Sequence, residues 1–463
     1  MMVTPGRDTS RRHRHVVVVG GGISGLATAL ALAEQTAGAD VTIDVREADT
    51  LVGGKLRTSP FAGLDAVDEG ADAFLARVPD ATALAHRVGL GAQLTSPTGA
   101  KAAVWHHGLH TLPEGLALGV PGDLLRLAGS SLLSWRGKAR AALEPLLPRR
   151  ADDGDAIGAL VRGRFGDEVH ERLVDALVGS IYGADTDRFS LAMVPQLAAL
   201  AGSGRSLLLG ARRMRHRAVE PAGPLFLAPA AGMGALATAT AVAAGDAGVT
   251  IRTDAQVRML ARDGDRWRVD GVVADAVVLA TPARATAPLV EQAAPELARL
   301  LATMDHAGIA IVTVAVDRWP ERLAGRSGYL VPKPVQRTVT AVSFGSQKWA
   351  HWRHDDHEIL RISLGRDGLA IDGLDDDDLV ACAVDEVGRH LDVDLQPVAT
   401  RLSRWPAAFP QYRPHHRGWL AAVHAARPAG LFVTGASYEG IGVPACIARA
   451  TETATDVATW LTG

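Results

Sequence analysis

Cysteine is almost missing from this chain: 463 residues contain two, Cys382 and Cys446, and neither belongs to a C-x-x-C pair. A disulfide framework is excluded, and a reducing cytoplasm suits such a chain. Apolar runs are short as well. None approaches the roughly eighteen residues that span a bilayer, and the four valines after the basic cluster Arg11-Arg12-His13-Arg14-His15 are too few for a signal-peptide core. That cluster reads as a solvated N-terminal arm. Neither sign of charge dominates, the formal net being −3, so no basic field recommends nucleic acid as a partner. Internal repeats, low-complexity tracts and an evident catalytic triad or acid–base pair are also missing. The histidine groups His106-His107-x-x-His110, His351-x-x-His354-x-x-His357 and His415-His416 lack the H-E-x-x-H or cysteine partners of a zinc site, so no metal is expected.

Among what is present, the stretch Val16 to Gly25 carries most information. Val16 to Val19 is a β-branched run of the kind buried on both faces of a parallel sheet, and it feeds Gly20-x-Gly22-x-x-Gly25 and then a helix-prone segment from Leu26 to Ala33. The glycines allow a tight turn, close approach to a pyrophosphate, and close helix–strand packing. An anion then meets the amides and dipole of a helix start, with Gly21, Ile23 and Ser24 inside the same turn. A second alternating strand, Val41-x-Ile43-x-Val45, ends before Glu47, which stands 22 residues after the last glycine. About 20 is the spacing at which a carboxylate holds a ribose hydroxyl.

Length allows two or three domains. Between about residues 80 and 220 helical spacing dominates. From 226 to 300 buried strands return, ending at Ala276 to Ala280 and the Thr281-Pro282 turn. From 308 to 365 the alternation is plainly β, as in Ile309-x-Ile311-x-Thr313, and an acidic run from Asp375 to Asp378 opens a helix. A short buried strand, Leu431 to Thr434, precedes the glycine-rich tail. The expected division is 1–76, 222–300 and 418–463 for a discontinuous dinucleotide-binding domain, 77–221 for a mainly helical domain, and 301–417 for a substrate domain built on an antiparallel sheet.

Two further motifs make a resemblance specific. Gly53-Gly54-Lys55-Leu56-Arg57 places a second glycine pair and a cation soon after the ribose acid, and Gly435-Ala436-Ser437-Tyr438-Glu439-Gly440-Ile441-Gly442-Val443-Pro444 closes the chain. Both resemble the protoporphyrinogen and coproporphyrinogen oxidase flavoproteins, as do Leu112-Pro113-Glu114-Gly115, Arg164 to Val169, Ser180 to Ser190, and Ser346-Gln347-Lys348-Trp349. The resemblance runs from Val16 to about Thr453. It implies an α/β, amine-oxidase-like fold: a Rossmann-like FAD-binding domain, a helical insertion and an α+β substrate domain. It also implies noncovalent FAD and six-electron, oxygen-dependent oxidation of coproporphyrinogen III to coproporphyrin III in haem biosynthesis, with release of hydrogen peroxide.

Several residue roles come with that resemblance. Ala48, Gly54, Lys55, Gly70, Ala71, Asp72, Ala73, Val257, Trp405, Gly435, Ile441, Gly442 and Val443 join the glycine turn and Glu47 as cofactor-binding candidates. Ala71 and Ala73 stand where the family usually has Pro and Ser, so any hydroxyl contact at Ala73 is lost. Asp72 is open between a flavin-region contact and a helix cap, and Trp405 between the flavin and ordinary packing. No catalytic side chain is firmly assigned. Arg77 is the first substrate-positioning candidate, as a cation near a substrate carboxylate. Tyr438 is the second, or else a core residue. The basic segment Arg212 to Arg217 is either a carboxylate-binding patch or a solvated loop, and Leu124 to Trp135 either a membrane-facing stripe or core. Partners expected are coproporphyrinogen III, molecular oxygen, a ferrochelatase receiving the product, and a membrane touched only peripherally. Alternatives on the same scaffold are a protoporphyrinogen IX oxidase, an amine-oxidase-like enzyme with another substrate, and a carrier of porphyrin or FAD without turnover.

Overall fold

The computed structural model describes residues 13–148, 154–217, 223–317 and 319–463. Arg11 and Arg12 of the basic arm lie outside them. His13 is exposed, and Arg14 already begins the first strand.

A five-stranded parallel sheet sits at the centre of the first layer, with the strands at 250–252, 41–46, 14–19, 276–279 and 431–433 side by side in that order. The valine run lies in its middle, Val16 opposite Ile43 on one side and Ala276 on the other. Val16, Val17 and Val18 are fully buried, because helices cover one face and a second apolar cluster covers the other. The helix Ile23–Gln35 packs between the helices Met233–Asp246 and Val443–Thr462. Its Leu26 and Leu32 are completely buried, each worth about 1.5–3 kcal/mol of transfer free energy. Three distant stretches of chain thus complete one layered unit, because strands, covering helices and glycine turn come from its beginning, middle and end.

A seven-stranded sheet forms the second layer. Its order is 397–410, 306–316, 358–364, 339–344, 326–330, 101–105 and 109–111. The first five strands pair antiparallel, as their alternation predicts, but Lys101–Trp105 lies parallel to Arg326–Leu330. Two strands from inside the stretch expected to be mainly helical therefore extend this sheet, with Ala103 and Val104 fully buried against it. The helix Asp376–Leu391 covers its outer face, and the Asp375 carboxylate caps that helix by accepting from the Asp378 amide at 2.8 Å.

The third part is helical. It includes Ile157–Phe165, a ten-residue π-helix His170–Gly179, Pro195–Gly202 and Leu207–Arg217 around a core of Leu, Val and Phe side chains. The stripe from Leu124 to Trp135 divides: Leu127, Leu132 and Leu133 are buried in that core, whereas Leu125 and Trp135 are exposed. Among the described residues, no helix is long and apolar enough to cross a membrane.

Candidate functional site

One cavity of about 1760 Å³ runs from the glycine turn past the seven-stranded sheet to the helical part. Its floor is built by the strand-to-helix turn. Gly20 has φ +107°, a conformation that L side chains rarely adopt, and a Cβ on Gly25 would lie 1.9 Å from the Gly20 carbonyl oxygen. Only glycine lets the helix start so close to the strand. Gly20, Gly22, Ile23 and Ser24 line the cavity; Gly21 and Gly25 lie behind them. The helix start has no side-chain cap and no acidic residue in its first turn, which leaves a field suited to an anion.

Glu47 and Ala48 line the cavity at the end of the second strand. The Glu47 carboxylate accepts the Gly21 amide at 2.6 Å and the Asp49 amide at 2.9 Å, one on each oxygen. A carboxylate has lone pairs for about four such bonds, so it is oriented yet retains capacity for a hydroxyl. Val257 lines the same region.

Gly54 and Lys55 follow along the wall. The Lys55 side chain is open to the cavity, its ammonium donates to the Ala408 carbonyl at 2.7 Å, and desolvation by the surrounding protein pulls its pKa below the usual lysine value. Gly70, Ala71, Asp72 and Ala73 form the adjoining loop. Asp72 lines the cavity and caps no helix: it accepts from Lys348 at 2.7 Å and Trp349 at 3.2 Å, with Arg361 3.4 Å away. Burial alone would raise its pKa, but the Lys348 and Arg361 cations hold it well below the ordinary carboxylate range. Arg361 also donates to the Gly70 carbonyl, and Trp405 donates to the Glu69 carbonyl at 2.9 Å. The loop is therefore pinned by side chains from two strands of the seven-stranded sheet and from the short helix Gly345–Lys348 and the residue after it, between two of the sheet's strands.

At the far end of the chain, Gly435, Ile441, Gly442 and Val443 line the cavity where the last helix begins. Tyr438 does not. It is fully buried among Leu279, Leu431, Val433 and Val423, stacked 6.3 Å from Trp419, so its substrate-positioning role is corrected to a packing one. The backbone turn that exposes the glycines directs this side chain into the core behind them. Neighbouring Glu439 is held by Arg449 at 2.9 Å.

Arg77 lines the cavity and is exposed, with no ion-pair partner among the described residues. The basic segment is not a loop, because Arg212 to Arg217 form the last turns of the helix Leu207–Arg217, whose Leu207, Leu208 and Ala211 are buried. Met214 and Arg215 from it line the cavity. Sequence reasoning gave no role to Lys348 or Arg361. The available signal for Arg361 was a charge inside the alternating run Ile359-x-Arg361-x-Ser363, where a buried cation requires an anionic partner. Among the described residues, no group of three or more His, Cys, Asp or Glu is placed to hold a metal ion.

Residues 23–458 match the flavin containing amine oxidoreductase family. The coproporphyrinogen III oxidase of Mycobacterium leprae (strain TN) is 34% identical over 456 residues, covering 94% of this chain and 96% of that protein. The coproporphyrinogen III oxidase of Bacillus subtilis (strain 168) is 28% identical over 469 residues, covering 97% and 98%. A solved structure from Exiguobacterium sp. 255-15 superposes with a TM-score of 0.85 at 28% identity, covering 97% of this chain and 99% of that one.

Proposed function

The chain belongs to the flavin containing amine oxidoreductase family, in the group of the bacterial coproporphyrinogen III oxidases, and from that premise we propose that it uses FAD to oxidise coproporphyrinogen III to coproporphyrin III. The observation that carries this reading is the single cavity joining an uncapped helix start, the ribose-type acid Glu47 and the pinned 70–73 loop to an Arg77-bearing extension. FAD fits this donor set better than a mononucleotide, because a pyrophosphate cradle and a ribose acid have no use in the smaller cofactor. When bound, FAD would supply the two-electron acceptor for hydride removal from the macrocycle, with oxygen as the final acceptor and hydrogen peroxide as its product.

The protein's own part is placement. Gly22 to Ser24 hold the pyrophosphate, Glu47 the ribose hydroxyl, and the glycines from Gly435 to Val443 the ring end at a second helix start. Lys348 and Arg361 fix the Asp72 loop so that its backbone faces the cavity rigidly, which is what an orientation-controlled hydride step demands. Apolar walls from Leu118 and Phe409 accept a macrocycle and exclude water, and Arg77 meets a carboxylate at the rim. The division into a three-piece cofactor domain, a helical part and a substrate sheet follows the same reading. The purified protein is expected to be yellow, to release FAD and not FMN on denaturation, and to bleach anaerobically with coproporphyrinogen III. A flavin that stays oxidised in that mixture would overturn the proposal.

A further inference from the structure

The mouth of the cavity has an unusual composition. Ile181, Met214, Leu225 and Phe226 all line it, yet each is 38–46% exposed. This apolar rim carries two cations on different elements. Arg77 follows the strand Phe74–Leu75, which is tied to the Leu225 region by the Ala76 amide donating to the Leu225 carbonyl at 3.0 Å. Arg215 arrives from the helix Leu207–Arg217.

Four other cations along the cavity are committed elsewhere, and Arg46 and Arg258 line it beside Glu47 and Val257, at the glycine-turn end. Lys348 and Arg361 neutralise Asp72, Arg366 is held by two bonds of 2.9 Å to Asp175, and the Lys55 ammonium bonds the Ala408 carbonyl. Arg215 is engaged only loosely, its Nη1 lying 3.5 Å from the Asp123 carboxylate. That carboxylate also accepts the Leu125 and Arg126 amides at 3.1 and 3.2 Å as the cap of a short helix. A guanidinium with spare N–H donors beside an apolar opening is placed to take a second carboxylate.

We infer that Arg215 is a carboxylate anchor at the cavity mouth, acting with Arg77 to favour a tetracarboxylate porphyrinogen over a dicarboxylate one. Coproporphyrinogen III carries a propionate on each of its four pyrroles and protoporphyrinogen IX on two adjacent ones only, so a cation set apart from Arg77 on another element finds a carboxylate on the former where the latter presents a vinyl group. Asp123 moderates the anchor by competing for it. The inference rests on the porphyrinogen reading above and deepens it.

The test compares R215Q and D123S with the unaltered protein on both porphyrinogens and in titrations with coproporphyrin III followed by fluorescence quenching. D123S keeps a hydroxyl that can cap the short helix while removing the competing charge. For R215Q, KM for coproporphyrinogen III and Kd for coproporphyrin III should each rise about five- to tenfold, with kcat within about twofold and KM for protoporphyrinogen IX unmoved. D123S should lower KM for coproporphyrinogen III. An active R215Q whose two KM values shift together, or not at all, overturns the anchor while leaving the porphyrinogen reading intact. A flavin-bearing unaltered protein that neither oxidises a porphyrinogen nor binds coproporphyrin III overturns both.

Discussion

Replacing Gly22 with alanine separates a ligand seat from a packing requirement. Gly22 has φ −70° and ψ 172°, an extended conformation open to alanine, and a Cβ built there meets no protein atom within 4 Å. The folded protein therefore gains no clash. Lower conformational entropy of the unfolded chain should even stabilise the apoprotein by about 0.4–1 kcal/mol. The empty space beside Gly22 is where a pyrophosphate must approach the backbone, so the added methyl matters only once the cofactor is bound. Overpacking of this kind costs about 1–3 kcal/mol, a loss of roughly five- to 150-fold in FAD affinity. The contrast is Gly25→Ala, whose Cβ would be 1.9 Å from the Gly20 oxygen and must disrupt the fold as well. The assay is reconstitution of apoprotein with FAD, followed by quenching of flavin fluorescence, with thermal unfolding of both apo variants alongside. A Gly22→Ala protein that binds FAD with unaltered Kd would refute the cradle. So would one whose apoprotein melts as low as Gly25→Ala.

Asp68, fully buried, accepts the Met233 amide and the Thr58 hydroxyl, and burial pushes its pKa up from 3.8 to about 6. With a raised folded-state pKa, a carboxylate binds more protons in the folded protein, so stability falls as pH rises from about 4 to about 6. The ionised form then costs about 3 kcal/mol at neutral pH. Asp68→Asn should remove that slope, and an unfolding difference between the two proteins that is flat from pH 4 to 7 would contradict the assignment. Tyr438→Phe should leave kcat and KM within about twofold, since its ring is core and away from the cavity. A large rise in KM would restore it to the substrate site.

Legibility in the sequence followed the range of the interaction. The valine strand, the glycine turn and Glu47 were readable because their partners lie within about two dozen residues and their chemistry is periodic. The helix opened by the acidic run Asp375 to Asp378 was readable for the same reason. The Asp72–Lys348–Arg361 cluster was not, because it joins residues nearly 290 positions apart on a loop, a short helix and a strand, and no local spacing encodes that. Arg212 to Arg217 looked like a loop because prolines and glycines follow, yet Leu207, Leu208 and Ala211 already marked a buried helical face. The strands at 101–105 and 109–111 were hidden inside helical composition, and tertiary pairing with Arg326–Leu330 decided their state. Tyr438 shows the opposite error: a motif placed its backbone correctly, but a motif does not say which way a side chain turns.

The most direct test of the central claim is aerobic turnover of the purified flavoprotein on coproporphyrinogen III and protoporphyrinogen IX side by side, following porphyrin fluorescence and peroxide with autoxidation subtracted. The account expects faster oxidation of coproporphyrinogen III, with three peroxides released per porphyrin formed. A protein that carries FAD and oxidises neither, or that prefers protoporphyrinogen IX, would contradict it.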